Sequence, residues 1–128
     1  MATTSVVTNL GRACLVNRAG GSNGTFGSPP FSINLGTGTG IAIASMTALY
    51  TELGSARLAA TASQLTTSST NDTVQFVATY TASATVTITN CGLFDKATAG
   101  SLLAATSFTG ITLVSGDVFV AQFQIQFV

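Results

Sequence analysis

Apolar and polar positions alternate most regularly near the C-terminal end of the chain. Over residues 118–128, Phe119, Ala121, Phe123, Ile125 and Phe127 fall on one side of an extended strand, and Gln122, Gln124 and Gln126 fall on the other. The three phenylalanines are expected to fill the core. The same period of two places Phe31, Ile33 and Leu35 opposite Ser32 and Asn34, which predicts a half-buried strand ending at Gly36. Threonine-rich stretches at 58–69 and 73–82 predict a long hairpin that turns at Asn71-Asp72. Residues 84–90 and 102–108 add two more strands, separated by a turn at 96–100.

Helical spacing occurs twice. Val6, Val7, Leu10, Cys14 and Leu15 suit an amphipathic helix over 5–18 with Ser5 as its N-cap. Met46, Leu49, Tyr50 and Leu53 suit a second, short helix between Ser45 and a C-capping Gly54. The Gly-, Ser- and Pro-rich stretches at 19–30 and 36–40 resist both helix and sheet and read as loops. These elements predict a mainly β fold, an antiparallel sandwich or barrel with an N-terminal helix and one short helix. One domain is expected over 1–128, with a helix and loop at 1–30 and a β-core at 31–128.

Composition removes many functions. Charged residues make up 6% of the 128 residues, four basic and four acidic, against a usual share of about 25%. A chain of zero net charge cannot build the cationic surface that competes for nucleic-acid phosphates or anionic lipid, so neither partner is expected. Histidine is absent, which takes away the commonest general base and neutral metal ligand. No catalytic residue, cofactor site or metal site is therefore assigned. Mean hydropathy is +0.53, yet no apolar run approaches the ~18 residues of a membrane span. No basic residue precedes the first apolar ones, so a secretory signal is not expected.

The remaining chemical candidates have structural readings. Gly36-Thr37-Gly38-Thr39-Gly40 lacks the spacing and the following Lys of a phosphate loop, and reads as a sharp exit from the preceding strand. Asp72, Asp95 and Asp117 each adjoin a turn, where a carboxylate accepts from nearby backbone amides; a calcium site is the alternative. Cys14 and Cys91 match no metal or redox spacing and read as buried thiols, with a disulfide as the alternative. Asn23-Gly24-Thr25 and Asn71-Asp72-Thr73 fit the glycosylation pattern and are taken as chance matches.

A β-protein must also keep its strand edges from pairing with neighbours, commonly with Lys, Pro or inward charges. This chain has one Lys and two prolines. Its edges are then most simply covered by other subunits, so a homo-oligomer is expected, with a Thr- and Ser-coated monomer as the alternative.

Residues Asn90-Cys91-Gly92-Leu93-Phe94-Asp95-Lys96-Ala97-Thr98-Ala99-Gly100-Ser101-Leu102-Leu103-Ala104, then Ser115-Gly116-Asp117 and a final alternating strand, resemble a group of small tailed-bacteriophage structural proteins. Ile33-Asn34-Leu35-Gly36-Thr37-Gly38-Thr39, Thr51-Glu52-Leu53 and Asn71-Asp72-Thr73-Val74 are similar to further stretches of that group, in the same order. Cys91 stands where the group has a small or polar residue, and Ala99 where it has a glycine. The resemblance implies a virion protein without enzymatic activity. It favours a capsid decoration or cement protein that forms small symmetric clusters, a trimer being the favoured size, bound to the major capsid protein, with a neck, tail or fibre-associated protein as the alternative. A carbohydrate-binding surface module is a further reading, weakened by the absence of Trp and the presence of only two Tyr.

Overall fold

The computed structural model describes residues 3–21, 26–27 and 29–127. They form two antiparallel sheets and one helix. β1 (Thr3–Val7) leads into α1 (Asn9–Ala19), followed by β2 (Ser32–Gly36), β3 (Leu58–Ala59), β4 (Thr61–Leu65), β5 (Thr73–Thr81), β6 (Val86–Phe94), β7 (Leu102–Leu113) and β8 (Val118–Gln126). The larger sheet has the order β1-β7-β6-β2-β3 and the smaller the order β4-β5-β8. No pairing joins β8 to β1, so the fold is an open sandwich and not a closed barrel.

Ser5 lies in a strand and does not cap the helix. Thr3, Thr4, Val6 and Val7 are β-branched and favour the extended pairing with β7 that they adopt. Thr8 is the cap, its hydroxyl accepting from the Gly11 amide at 3.0 Å while donating to the Leu102 carbonyl. A Cβ on Gly11 would lie 2.0 Å from the Leu103 carbonyl oxygen, so only glycine lets the first helical turn press against β7. β1 thus belongs to the β-core, which does not begin at residue 31.

β2 is buried along its whole length, Ser32 and Asn34 included, where a half-buried strand was expected. Ile33 and Leu35 face the smaller sheet and pack with Phe76, Ala78, Ala121 and Phe123. The opposite face of the larger sheet is covered by the irregular segment 37–57, whose Ala42, Met46 and Leu49 pack on Phe94, Leu102 and Ala105. The expected short helix at 45–53 does not form, although its apolar spacing does serve burial. Its backbone is drawn instead into pairing with β2: Leu53 donates to the Leu35 carbonyl, Thr37 to the Thr51 carbonyl, and Glu52 bridges Gly36. Buried side chains hold the rest of the segment. Asn90 accepts from the Tyr50 amide and donates to the Tyr50 carbonyl, both at 3.1 Å, and Ser107 accepts from the Ala42 amide at 2.9 Å. Asn34 donates to Glu52 at 2.8 Å, and Glu52 pairs with Arg57 at 2.9 Å. The Arg57 guanidinium lies 3.6 Å from the Phe94 ring centroid and donates to the Lys96 carbonyl.

The expected strand at 58–69 is two strands in different sheets. Ala60, buried, marks the corner at which the chain passes from β2's neighbour β3 to β5's neighbour β4. The strand expected at 84–90 continues to Phe94, and that expected at 102–108 continues to Leu113. The turn between them holds Ala99 at φ 53°, a left-handed conformation that explains the glycine usual there. Cys14 and Cys91 are free, buried thiols; burial pushes Cys91 up to about 12. The alternation of β8 stands, with Phe123 buried and Phe119 half-buried, but Phe127, one residue past the end of β8, is 52% exposed. Of the 19–30 loop, residues 22–25 and 28 lie outside the described residues.

Two outcomes follow for stability. Phe123→Ala should cost ~3 to 5 kcal/mol in urea unfolding and Gln124→Ala less than about 0.5 kcal/mol. Equal losses would mean that the sidedness of β8 is reversed. Glu52 is held below the usual carboxylate range, chiefly by its hydrogen bond from Arg57 and also by that from Asn34, against the opposing effect of burial. A depressed carboxylate contributes stability above its unfolded pKa and loses it as pH falls through the folded value. The stability advantage of wild type over Glu52→Gln should therefore be full at pH 7 and shrink as the pH drops below about 4.

Candidate functional site

β8 is the outer strand of the smaller sheet, with β5 on one side and, among the described residues, no strand on the other. Backbone hydrogen bonds at both ends of the β5–β8 ladder fix which residues point each way. Phe127 donates to the Asp72 carbonyl and Ala82 to the Asp117 carbonyl, two pairs in the same register. In an antiparallel ladder such pairs recur at every second residue, so Phe119, Ala121, Phe123 and Ile125 direct their N–H and C=O groups to β5. Val118, Val120, Gln122, Gln124 and Gln126 direct theirs to the free edge. All five are exposed, and none is charged or proline. Val118 and Val120 are 58% and 57% exposed.

The free edge of the larger sheet lies on the same side of the sandwich. Thr8 donates to the Leu103 carbonyl, which by the same alternation leaves the backbone groups of Thr3, Ser5 and Val7 facing away from β7. Between the two edges runs an open seam lined by Thr3 and Ser5 of β1, Gln122 and Gln124 of β8, and the stacked rings of Phe108 and Phe119, 6.0 Å apart. Further along, α1 and the inner sheet faces border an open pocket of about 300 Å³ lined almost wholly by apolar groups, among them Val7, Cys14, Phe76, Leu103 and Ile125.

The acidic side chains are all engaged within the fold, and the exposed Arg12 of α1 lies beside the far end of the edge, lining a pocket with Ile125, Gln126 and Phe127. Asp72 accepts from the Thr67, Ser68 and Ser69 amides at 2.8 to 3.1 Å, which holds its carboxyl well below the usual range. Asp95 accepts from the Gly27 and Ser101 amides, and Asp117 from the Val114 amide. These are the turn roles read from sequence. Glu52 is the partner of Arg57. Among the described residues no group of three or more His, Cys, Asp or Glu is placed to hold a metal ion. No helix among them is long and apolar enough to cross a membrane.

The glycine-rich 36–40 stretch is a packing device. Gly38 donates to the Tyr50 carbonyl, and a Cβ on Gly38 would lie 2.8 Å from the Tyr50 carbonyl carbon. The quoted family stretches are structural in the same way: Asn34 donates to Glu52, whose partner Arg57 lies over Phe94 and donates to the Lys96 carbonyl, and Asp95 closes the β6–β7 turn by accepting from the Ser101 amide. The edge, by contrast, carries no such motif. Its only signal in the sequence is the strict alternation of 118–126 without a blocking charge.

A family described as podophage GP4 fiber I protein gp80 matches residues 23–126. No curated protein and no solved structure matches the chain.

Hydrogen exchange should report the alternation of β8 directly. In dilute protein the amides of Val118, Val120, Gln122, Gln124 and Gln126 should exchange fast and those of Phe119, Ala121, Phe123 and Ile125 slowly. Uniform protection along the strand in a chain shown to be monomeric would remove the free edge.

Proposed function

The chain belongs to the podophage GP4 fiber I protein gp80 family, and we propose that it is a fibre-associated structural component of a phage particle. The family match over residues 23–126 is the observation that carries this reading. It supports the virion role implied by the sequence resemblance, and it favours the fibre-associated alternative over the capsid-decoration reading. The geometry is of the same kind. The acidic groups are spent on turns and on the ion pair with Arg57, and the exposed features beside β8 include an uncharged strand edge and a seam of mixed polar and apolar lining. Such surfaces suit contacts with other proteins and give no means of activating a nucleophile. The protein acts as a non-enzymatic building block whose partners are virion proteins, itself among them.

Gold-labelled antibody against the chain, viewed on intact particles, tests the assignment. Label at the tail or its fibres, in tens of copies or fewer, is the expected result. Hundreds of copies spread over the shell would return the protein to the decoration reading. Attachment should persist at 1 M salt, where a Debye length of about 3 Å screens exposed ion pairs but leaves backbone pairing and apolar burial in place.

A further inference from the structure

We propose that β8 pairs antiparallel with β8 of a second copy, about a two-fold axis at Gln122, so that two three-stranded sheets become one of six strands. This goes beyond fibre association and rests on the edge alone. The free-edge groups are symmetric about Gln122: Val118 lies opposite Gln126, Val120 opposite Gln124, and Gln122 opposite itself. In that register every outward N–H and C=O of β8 meets a partner, about ten hydrogen bonds in all. A shift of two residues either way leaves an end unpaired.

Side chains agree on both faces. On the core side Phe119 meets Ile125 and Ala121 meets Phe123, apolar against apolar, continuing the interior across the junction. On the outer face the amides of Gln124 and Gln126 are already engaged within the chain, Gln124 with Gln75 at 2.8 Å and Gln126 with Ser68 and Asp72. The Gln122 amide has no hydrogen-bond partner among the described residues, and it stands at the symmetry axis. A carboxamide is both donor and acceptor, so two glutamines satisfy each other where two like charges would repel. The edge residues are thus complementary to their own copy, and none of the five carries a charge for an oppositely charged partner to recognise.

Sedimentation of the full chain at micromolar concentration tests the pairing. Wild type should run as a dimer. Gln122→Lys and Gln122→Glu place like charges across the axis and should each weaken the dimer by about tenfold or more, while an equal mixture of the two should restore it. Val120→Pro deletes an edge amide without adding charge and should also dissociate the pair, whereas Gln75→Lys, one strand inward, should leave it intact. Circular dichroism would confirm that each variant is folded. A wild-type monomer, a trimer, or a dimer indifferent to both Gln122 variants and Val120→Pro would overturn the proposal. Any of these results would leave the antibody label on the particle unchanged, so the pairing and the fibre assignment fail separately.

Discussion

Burial of the larger sheet on both faces is the constraint from which most of the structure follows. One face meets the smaller sheet through Ile33, Leu35, Ile88 and Leu93; the other lies under segment 37–57. A segment without regular structure brings backbone groups that burial would leave unsatisfied. Asn34, Asn90 and Ser107 are the answer, buried polar side chains on strands that supply the donors and acceptors a third layer would otherwise lack. This arrangement accounts for buried polar residues in a protein whose sequence is otherwise free to place threonine and serine at the surface.

The strands with a solvated face were the most legible in the sequence. β8 shows its period of two because one side is wet, and its bounds were read within two residues. β2 shows the same period for another reason: its polar positions are buried and bonded, a difference that hydropathy does not register. The helical spacing of Met46, Leu49 and Tyr50 was real as burial and wrong as secondary structure, since nearby β2 claimed the backbone. Ser5 is a good cap by type, but the β-branched pair Val6-Val7 extends along β7 and the helix starts later, under Thr8. At Ala60 the chain changes sheets without a turn residue, and local sequence carries no sign of that. The edge at β8 was legible as a lack of charge, but which of its amides face outward required the register with β5.

Scarcity of charge takes on a definite meaning in the fold. The acidic residues close the loops at 66–72, 95–101 and 114–117 and neutralise Arg57. The few carboxylates thus sit where backbone amides would otherwise lack acceptors, and the outer face of the smaller sheet is left to glutamine, threonine and valine. The quoted stretches shared with phage structural proteins mark these closures, which is why they carry the shape of the molecule and not a reactive centre.

Along β8 the residues that build the core and the residues that present the edge are separate sets, odd positions for one and even positions for the other. Changes at the even positions alter what the strand offers to a neighbour while leaving the interior packing alone. Such a strand lets a lineage exchange its assembly contacts by substitution at a few surface sites, with the same fold kept as a fixed chassis.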